Sequence, residues 1–181
     1  RSYFPPPEKA PHFSNLQFKE EYKSRKVHLI INPYSGKKKG LEVGSIVEKE
    51  LSNYKIEVKK HITNEPNHAI KIAQELDLEE GDSVATVGGD GTFCEVISGF
   101  MSRNDDSHNS IPLALVPAGT GNSQANDMEI TDYMDATERI VRGRVRLIDI
   151  AETKYDFEDQ RVTRYSHNLV GWGLGVDSNI L

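Results

Sequence analysis

The residues from Val84 to Glu95 read VATVGGDGTFCE, and they carry the strongest signal in the sequence. A short buried-type strand, 84–87, runs directly into a turn with three glycines and an aspartate, and an apolar helical stripe begins at Phe93. Glycines between a strand and a helix leave backbone amides open at the helix N-terminus, which suits a phosphate group. The stretch therefore predicts a strand-loop-helix unit with a phosphate-binding turn.

The same alternation of strand and helix patterns recurs on both sides of this stretch. Short β-branched or alternating runs predict strands, and apolar residues three and four apart predict the helices between them. Strands that alternate with helices indicate a mostly parallel sheet with helices on its faces. The predicted strands cover 27–31, 56–62, 84–87, 111–116 and 145–150, and the predicted helical stripes cover 43–51, 69–76, 93–100 and 133–141.

The architecture changes near Asp149. Before this point, we expect Asp132 to cap the last helix and Gly143 to end it. After it the helical pattern stops, and residues 161–170, followed by several glycines, are typical of β structure with tight turns. We therefore expect an α/β fold in three parts: an extended lead-in over 1–26, an α/β domain over 27–148, and the beginning of an incomplete β-rich domain over 149–181.

Composition and charge argue against several classes of function. The 181 residues carry a formal net charge of -6, which disfavours nucleic acid as the partner because phosphate contacts need clustered Lys and Arg. No apolar run is long enough for a membrane helix. The single cysteine, Cys94, excludes an internal disulfide, indicates a cytoplasmic protein, and is expected to pack in the core. The histidines show no compact metal spacing, so we expect no zinc site.

An aspartate inside the glycine turn indicates chemistry in addition to phosphate binding. Asp90 places a carboxylate at a helix N-terminus, where open amides attract an anion. A carboxylate beside a phosphate can accept the proton of an attacking hydroxyl or help to hold Mg²⁺, and phosphoryl transfer requires both roles. The structural alternative is that Asp90 is the N-cap of the following helix. The two roles are compatible.

Two further strand exits have a similar composition. The first reads Asn32-Pro33-Tyr34-Ser35-Gly36, and the second reads Pro117-Ala118-Gly119-Thr120-Gly121-Asn122. Ligands of open parallel sheets bind beyond the carboxyl ends of the strands, so we expect these turns to converge on the glycine turn after Val87. The first turn taken alone is equally consistent with an ordinary strand exit. None of the turns matches the dinucleotide fingerprint or the Walker A spacing.

These three loops, in this order and spacing, resemble those of the diacylglycerol kinase catalytic superfamily, which includes sphingosine kinases, ceramide kinases and bacterial lipid kinases. The resemblance runs from Val27 to about Asp177. The motif from Gly88 to Thr92 is shared with NAD kinases and phosphofructokinases, whereas the other two loops narrow the resemblance to lipid kinases. It implies an α/β nucleotide-binding domain followed by a β-sandwich, with ATP and lipid meeting in the cleft between them.

The resemblance also implies roles for individual residues. Asp90 matches the general base, and Asp177, in a segment that begins with Trp172-Gly173, matches a contact to the polar head of the lipid. A turn acid in a β-hairpin is the alternative for Asp177. Ser123 and Gly88 depart from patterns common in diacylglycerol kinases and sphingosine kinases respectively, which leaves substrate choice open. The expected ATP-binding residues are Asn32, Pro33, Ser35, Gly36, Thr63, Gly88, Gly89, Gly91, Thr92, Glu95, Gly119, Thr120, Gly121 and Asn122.

The implied function is transfer of the γ-phosphoryl group of ATP, with Mg²⁺, to a lipid hydroxyl. A sphingoid base is the favoured acceptor, and diacylglycerol and ceramide remain open. Because such an acceptor lies in a membrane, we expect peripheral contact of a cytoplasmic protein with the membrane surface. No protein partner can be identified. The alternatives are an NAD kinase-like enzyme with a soluble acceptor, a non-catalytic nucleotide or lipid sensor, and a regulatory fragment.

Overall fold

A computed structural model describes residues 22–143 and 145–167. Strands and helices alternate up to residue 142, and an antiparallel hairpin follows. The strands are β1 (Lys26–Ile31), β2 (Glu57–Ile62), β3 (Asp82–Gly88), β4 (Leu113–Pro117), β5 (Ala151–Phe157) and β6 (Gln160–Ser166). The helices are α1 (Ser35–Lys38), α2 (Gly40–Asn53), α3 (His68–Glu75), α4 (Asp90–Met101), α5 (Ser123–Asp127) and α6 (Tyr133–Arg142).

The first four strands form one parallel sheet in the order β2-β1-β3-β4. All seven residues of β3 are buried, as is the run from Val27 to Ile31 in β1. These central strands are buried along almost their whole length because helices cover both faces of the sheet. Strands β1, β3 and β4 are parallel neighbours in this sheet, so their carboxyl ends lie side by side. The loops that follow these strands therefore share one edge of the sheet.

The two faces of the sheet carry separate hydrophobic clusters. Leu29 belongs to the cluster that includes residues of α2 and α6, and Ile30 belongs to the cluster that includes residues of α3 and α4. Side chains that alternate along a strand point to opposite faces, which explains this division. Helices α3 and α4 approach closely at Gly99, where an added Cβ would lie 2.2 Å from the carbonyl oxygen of Ile70.

The structure confirms the predicted fold class and most of the predicted elements. Asp132 caps α6, since its carboxylate accepts hydrogen bonds from the amides of Met134 and Asp135. Gly143 ends that helix in the left-handed conformation, with φ of +66°. Among the described residues, no helix has the length and apolarity needed to cross a bilayer.

The strand predicted over 145–150 is wrong. This segment makes no strand pairing, and Leu147 is 75% exposed. Its alternation of apolar and basic residues imitates a strand, but a strand also needs a partner edge. The β structure begins at Ala151 and turns back through Glu158 and Asp159, whose positive φ angles suit a tight hairpin. The part of the predicted 161–170 strand that is described, up to residue 166, is confirmed.

Candidate nucleotide-binding site

Three loops meet at the carboxyl edge of the parallel sheet. We call them the first loop (32–36), the glycine loop (88–92) and the third loop (117–122). The amide of Asn32 donates to the carbonyl oxygen of Val87 at 3.0 Å, and the amide of Ala118 donates to that of Gly88 at 2.8 Å. The strand exits are thus joined by backbone hydrogen bonds, which confirms the convergence expected from the sequence.

Glycines let these loops pack backbone against backbone. A Cβ added to Gly36 would lie 2.2 Å from the carbonyl oxygen of Ala118, and Gly36 also has φ of +54°, a conformation that favours glycine. A Cβ added to Gly119 would lie 2.5 Å from the Cα of Gly89. Side chains at these positions would push the loops apart, so the shape of the rim depends on both glycines.

Asp90 joins the glycine loop to the start of α5, directly after the third loop. It is the first residue of α4, and its carboxylate accepts hydrogen bonds from the amides of Ser123 at 2.8 Å and Gln124 at 2.9 Å. The N-cap position of α4 is Gly89, and no side chain caps that helix within the described chain. The sequence-based alternative that Asp90 caps its own helix is therefore wrong; the carboxylate instead holds the first two amides of α5.

Further side-chain hydrogen bonds shape the first and third loops. The side-chain amide of Asn32 donates to the hydroxyl of Thr92 at 2.9 Å, and its carbonyl oxygen accepts from the amide of Tyr34 at 2.9 Å. In the third loop the Asn122 side chain accepts from the amide of Gly119 and donates to its carbonyl oxygen, both at 2.9 Å. These asparagines hold their loops rigid before any ligand is bound.

The other predicted site residues lie around this rim. Thr63 is buried at the end of β2, where its amide donates to the carbonyl oxygen of Ile31 at 2.9 Å. Glu95, one turn into α4, accepts from the amide of Ala69 at 3.3 Å, which ties it to the start of α3. Pro33 is half-buried, Ser35 is buried, and Thr120 and Gly121 are exposed at the tip of the third loop. Asp177 lies outside the described residues.

The rim presents groups of the kind that bind phosphate. The amides of the first turn of α4 have no intrahelical partners, and a Cβ built on Gly91 would meet open space. No group of three or more His, Cys, Asp or Glu side chains in the described ranges could hold a metal ion. At Mg²⁺ sites a protein typically supplies one or two carboxylates, and phosphates and water complete the shell. Asp90 is the carboxylate at this rim that could hold such an ion beside a phosphate.

Comparison with known proteins agrees with this geometry. Residues 26–153 match the family described as the diacylglycerol kinase catalytic domain. The chain belongs to this family. The match begins at the first residue of β1 and includes all three loops of the rim, so the family assignment and the site rest on the same part of the chain.

Several relatives within the diacylglycerol kinase catalytic family are named as sphingoid base kinases. Sphingosine kinase B of Dictyostelium discoideum is 40% identical over 129 residues, covering 71% of this chain and 17% of that protein. Sphingoid long chain base kinase 5 of Saccharomyces cerevisiae is 35% identical over 90% of this chain and 24% of its own length. The chain thus spans well under half of the length of these curated relatives.

A solved structure from the same family shares the fold. A diacylglycerol kinase from Bacillus anthracis strain Sterne superposes with a TM-score of 0.61 at 24% identity. The comparison covers 77% of this chain and 48% of that chain. At this level of identity the likeness supports the α/β fold.

Sequence reasoning missed the partners of Asp90. In the sequence, Ser123 stands out only as a departure from the family pattern, and no local pattern singles out Gln124. A signal was present, since an acidic residue in one loop and a helix start in the next are electrostatically complementary. The separation of 33 residues between Asp90 and Ser123 hid the contact, because local periodicity carries no information about it.

Proposed function

We propose that the protein transfers the terminal phosphoryl group of ATP to a hydroxyl group of a lipid. One observation carries the proposal: the Asp90 carboxylate is held by two backbone amides at the rim where three glycine-containing loops converge. Phosphoryl transfer depends on positioning and on electrostatic stabilisation, and a rigid rim with a fixed acid supplies both.

The chain's own groups have distinct roles in this reaction. A carboxylate offers about four lone-pair directions, and the amides of Ser123 and Gln124 occupy two of them. The others remain for the proton of the acceptor hydroxyl or for a metal ion. Open amides of the glycine loop and the third loop cradle the phosphates. The bound nucleotide and Mg²⁺ would supply the phosphoryl group and neutralise developing charge.

We further propose a sphingoid base as the acceptor. The names of the relatives from Dictyostelium and yeast support this choice, although another relative, from Bacillus subtilis, is named only as a lipid kinase. The predicted contact of Asp177 with the polar head of the lipid stays part of the proposal. Access to such an acceptor requires the cytoplasmic protein to touch the membrane surface.

The test is transfer of labelled phosphate from ATP by the full-length protein to a panel of sphingoid base, diacylglycerol, ceramide and NAD. We expect sphingoid base to be phosphorylated, and we expect Asp90→Asn to lower the rate by about 100-fold to 10,000-fold. Asp127→Asn, an exposed aspartate at the end of α5, is the matched control and should retain the wild-type rate.

The outcomes separate the alternatives. Undiminished transfer by Asp90→Asn would show that the carboxylate is not the base. Phosphorylation of NAD without a lipid product would replace the lipid by a soluble acceptor. ATP binding with no transfer to any acceptor would identify a non-catalytic relative.

A further inference from the structure

Strand β6 of the hairpin is attached to helix α4 by a serine. The Ser98 hydroxyl donates to the carbonyl oxygen of Tyr165 at 3.2 Å and accepts from the amide of Tyr165 at 3.4 Å. Ser98 is only 5% exposed. One side chain therefore pairs with both backbone groups of a strand residue, as a neighbouring strand would, and this fixes where β6 lies along the helix.

A second contact lies one turn closer to the start of α4. The Sγ of Cys94 is 3.8 Å from Nδ1 of His167, and the ring of Phe93 meets the His167 imidazole edge-on with centroids 4.9 Å apart. Burial raises the pKa of the Cys94 thiol and lowers the pKa of the His167 imidazole, so both side chains are neutral near pH 7. Cys94 is only partly buried and contacts the hairpin, so the expectation of simple core packing was incomplete.

These contacts lie on the helix face that begins with Asp90. Asp90, Cys94 and Ser98 are four residues apart, which places them in one row along α4. Tyr165 meets Ser98 and His167 meets Cys94, so the chain runs along this row toward Asp90. Helix α4 is thus held at its first residue by the start of α5 and along the same row by the end of β6.

We propose that Ser98 is a positioning residue for Asp90: its contact with β6 sets the placement of α4, and with it Asp90, against the hairpin. This inference rests on the proposed function, because it concerns the distance between Asp90 and the acceptor hydroxyl. The backbone hydrogen bonds from Asn32 to Val87 and from Ala118 to Gly88 join the three loops ahead of α4, and they do not involve this contact. Loss of the Ser98 hydroxyl therefore affects phosphoryl transfer to the acceptor and leaves nucleotide binding intact.

The experiment compares full-length wild type, Ser98→Ala and Ser45→Ala. Ser45 is the matched control, because its hydroxyl only bonds the carbonyl oxygen of Leu41 within α2. We expect Ser98→Ala to lower kcat/KM for sphingosine by about 10-fold, since small misplacements of reacting groups are costly, and to keep the KM for ATP within about 2-fold. Ser45→Ala should match wild type in both.

A second measurement tests the contact between Ser98 and β6 without an activity assay. The rate of Cys94 alkylation by a maleimide, resolved by peptide mass spectrometry, should rise at least about 3-fold in Ser98→Ala because the end of β6 no longer covers the thiol as firmly. The proposal is overturned if kcat/KM for sphingosine equals that of Ser45→Ala, or if the KM for ATP rises in parallel. A wild-type protein without transfer activity overturns the proposed function itself, and the wild-type rate alone reveals that case.

Discussion

Two groups of polar residues in this protein differ in the partners of their hydrogen-bonding groups. One is the rim formed by the three loops. The other, which we call the histidine cluster, comprises Lys26, His28, His61 and Asp82 on the first three strands of the parallel sheet. The rim leaves backbone amides open toward a ligand, whereas the members of the cluster bond to one another and to the backbone nearby.

The histidine cluster is a chain of hydrogen bonds across three strands. His28, which is 0% exposed, lies with Nε2 3.2 Å from Oδ2 of Asp82 and with Nδ1 3.2 Å from Nε2 of His61. Lys26 Nζ is 3.2 Å from the same Asp82 oxygen. Both of these hydrogen bonds form when His28 donates to Asp82 and His61 donates to His28. Neither imidazole therefore needs a positive charge.

The difference shows which polar groups serve the fold and which can serve a ligand. Burial alone would raise the pKa of Asp82, but hydrogen bonds from the Glu79 amide, Lys26 and His28 outweigh burial and lower it. Such mutually satisfied groups stabilise the sheet. Open amides at a helix start have no such partner and are available to an anion. Substitutions in the cluster should change stability, and those in the rim should change ligand binding.

Asp82→Asn gives the largest expected effect on stability. It replaces the buried carboxylate that Lys26 and His28 contact by a neutral amide, and leaving a buried polar group without its partner costs about 1–3 kcal/mol. Thermal and denaturant unfolding would measure the loss, and ATP affinity should stay within about 2-fold of wild type for the folded protein. Asp77→Asn, an exposed aspartate before β3, is the control. A loss as small as that of the control would contradict the structural role of the cluster.

Gly119→Ala should mainly weaken the binding of ATP. Its Cβ would press on Gly89 and on the Asn122 side chain, so the two loops must separate. We expect ATP affinity to fall by at least about 10-fold, with a stability loss of about 1–2 kcal/mol. Isothermal titration with an ATP analogue and unfolding curves would separate the two quantities. Unchanged affinity would show that the close approach of these loops is not needed for binding.

The histidine cluster should make stability pH-dependent. Burial, and then the neighbouring His28, lower the pKa of His61 from 6.5 to about 4. The unfolded chain therefore binds a proton that the folded protein excludes, so stability is complete above about pH 6.5 and decreases as the pH falls toward about 4. The expected loss is about 2 kcal/mol, allowing for partial exposure.

The unfolding free energy of His61→Gln should depend less on pH between those values than that of wild type; part of the dependence stays because burial also lowers the pKa of His28 and of His167. His108→Gln, at an exposed position, should keep it. Equal slopes for wild type and His61→Gln would assign the acid sensitivity to other groups.

Gly91→Ala should have the smallest effect on stability. The new Cβ meets open space, and alanine favours a helix over glycine by up to about 1 kcal/mol. We expect equal or slightly higher stability together with a few-fold weaker binding of ATP, since the methyl group would narrow the approach to the open amides. Lower stability would indicate that the glycine loop has a packing constraint that the present geometry does not show.

Elements that depend on residues close together in the chain could be predicted from the sequence alone. The strand-loop-helix unit around Asp90 was predictable because apolar periodicity and glycine spacing are local signals. The same holds for the cap at Asp132 and the end of α6 at Gly143. Convergence of the three loops followed from a general property of parallel sheets.

Tertiary structure alone decided which distant groups meet. It placed the amides of Ser123 and Gln124 on Asp90, brought Ser98 against Tyr165, and joined His28 to His61. It also left residues 145–150 without a partner strand, although their alternation imitates one. Pairing between residues far apart in the chain is fixed by how whole elements pack, and short-range patterns of polarity do not encode that packing.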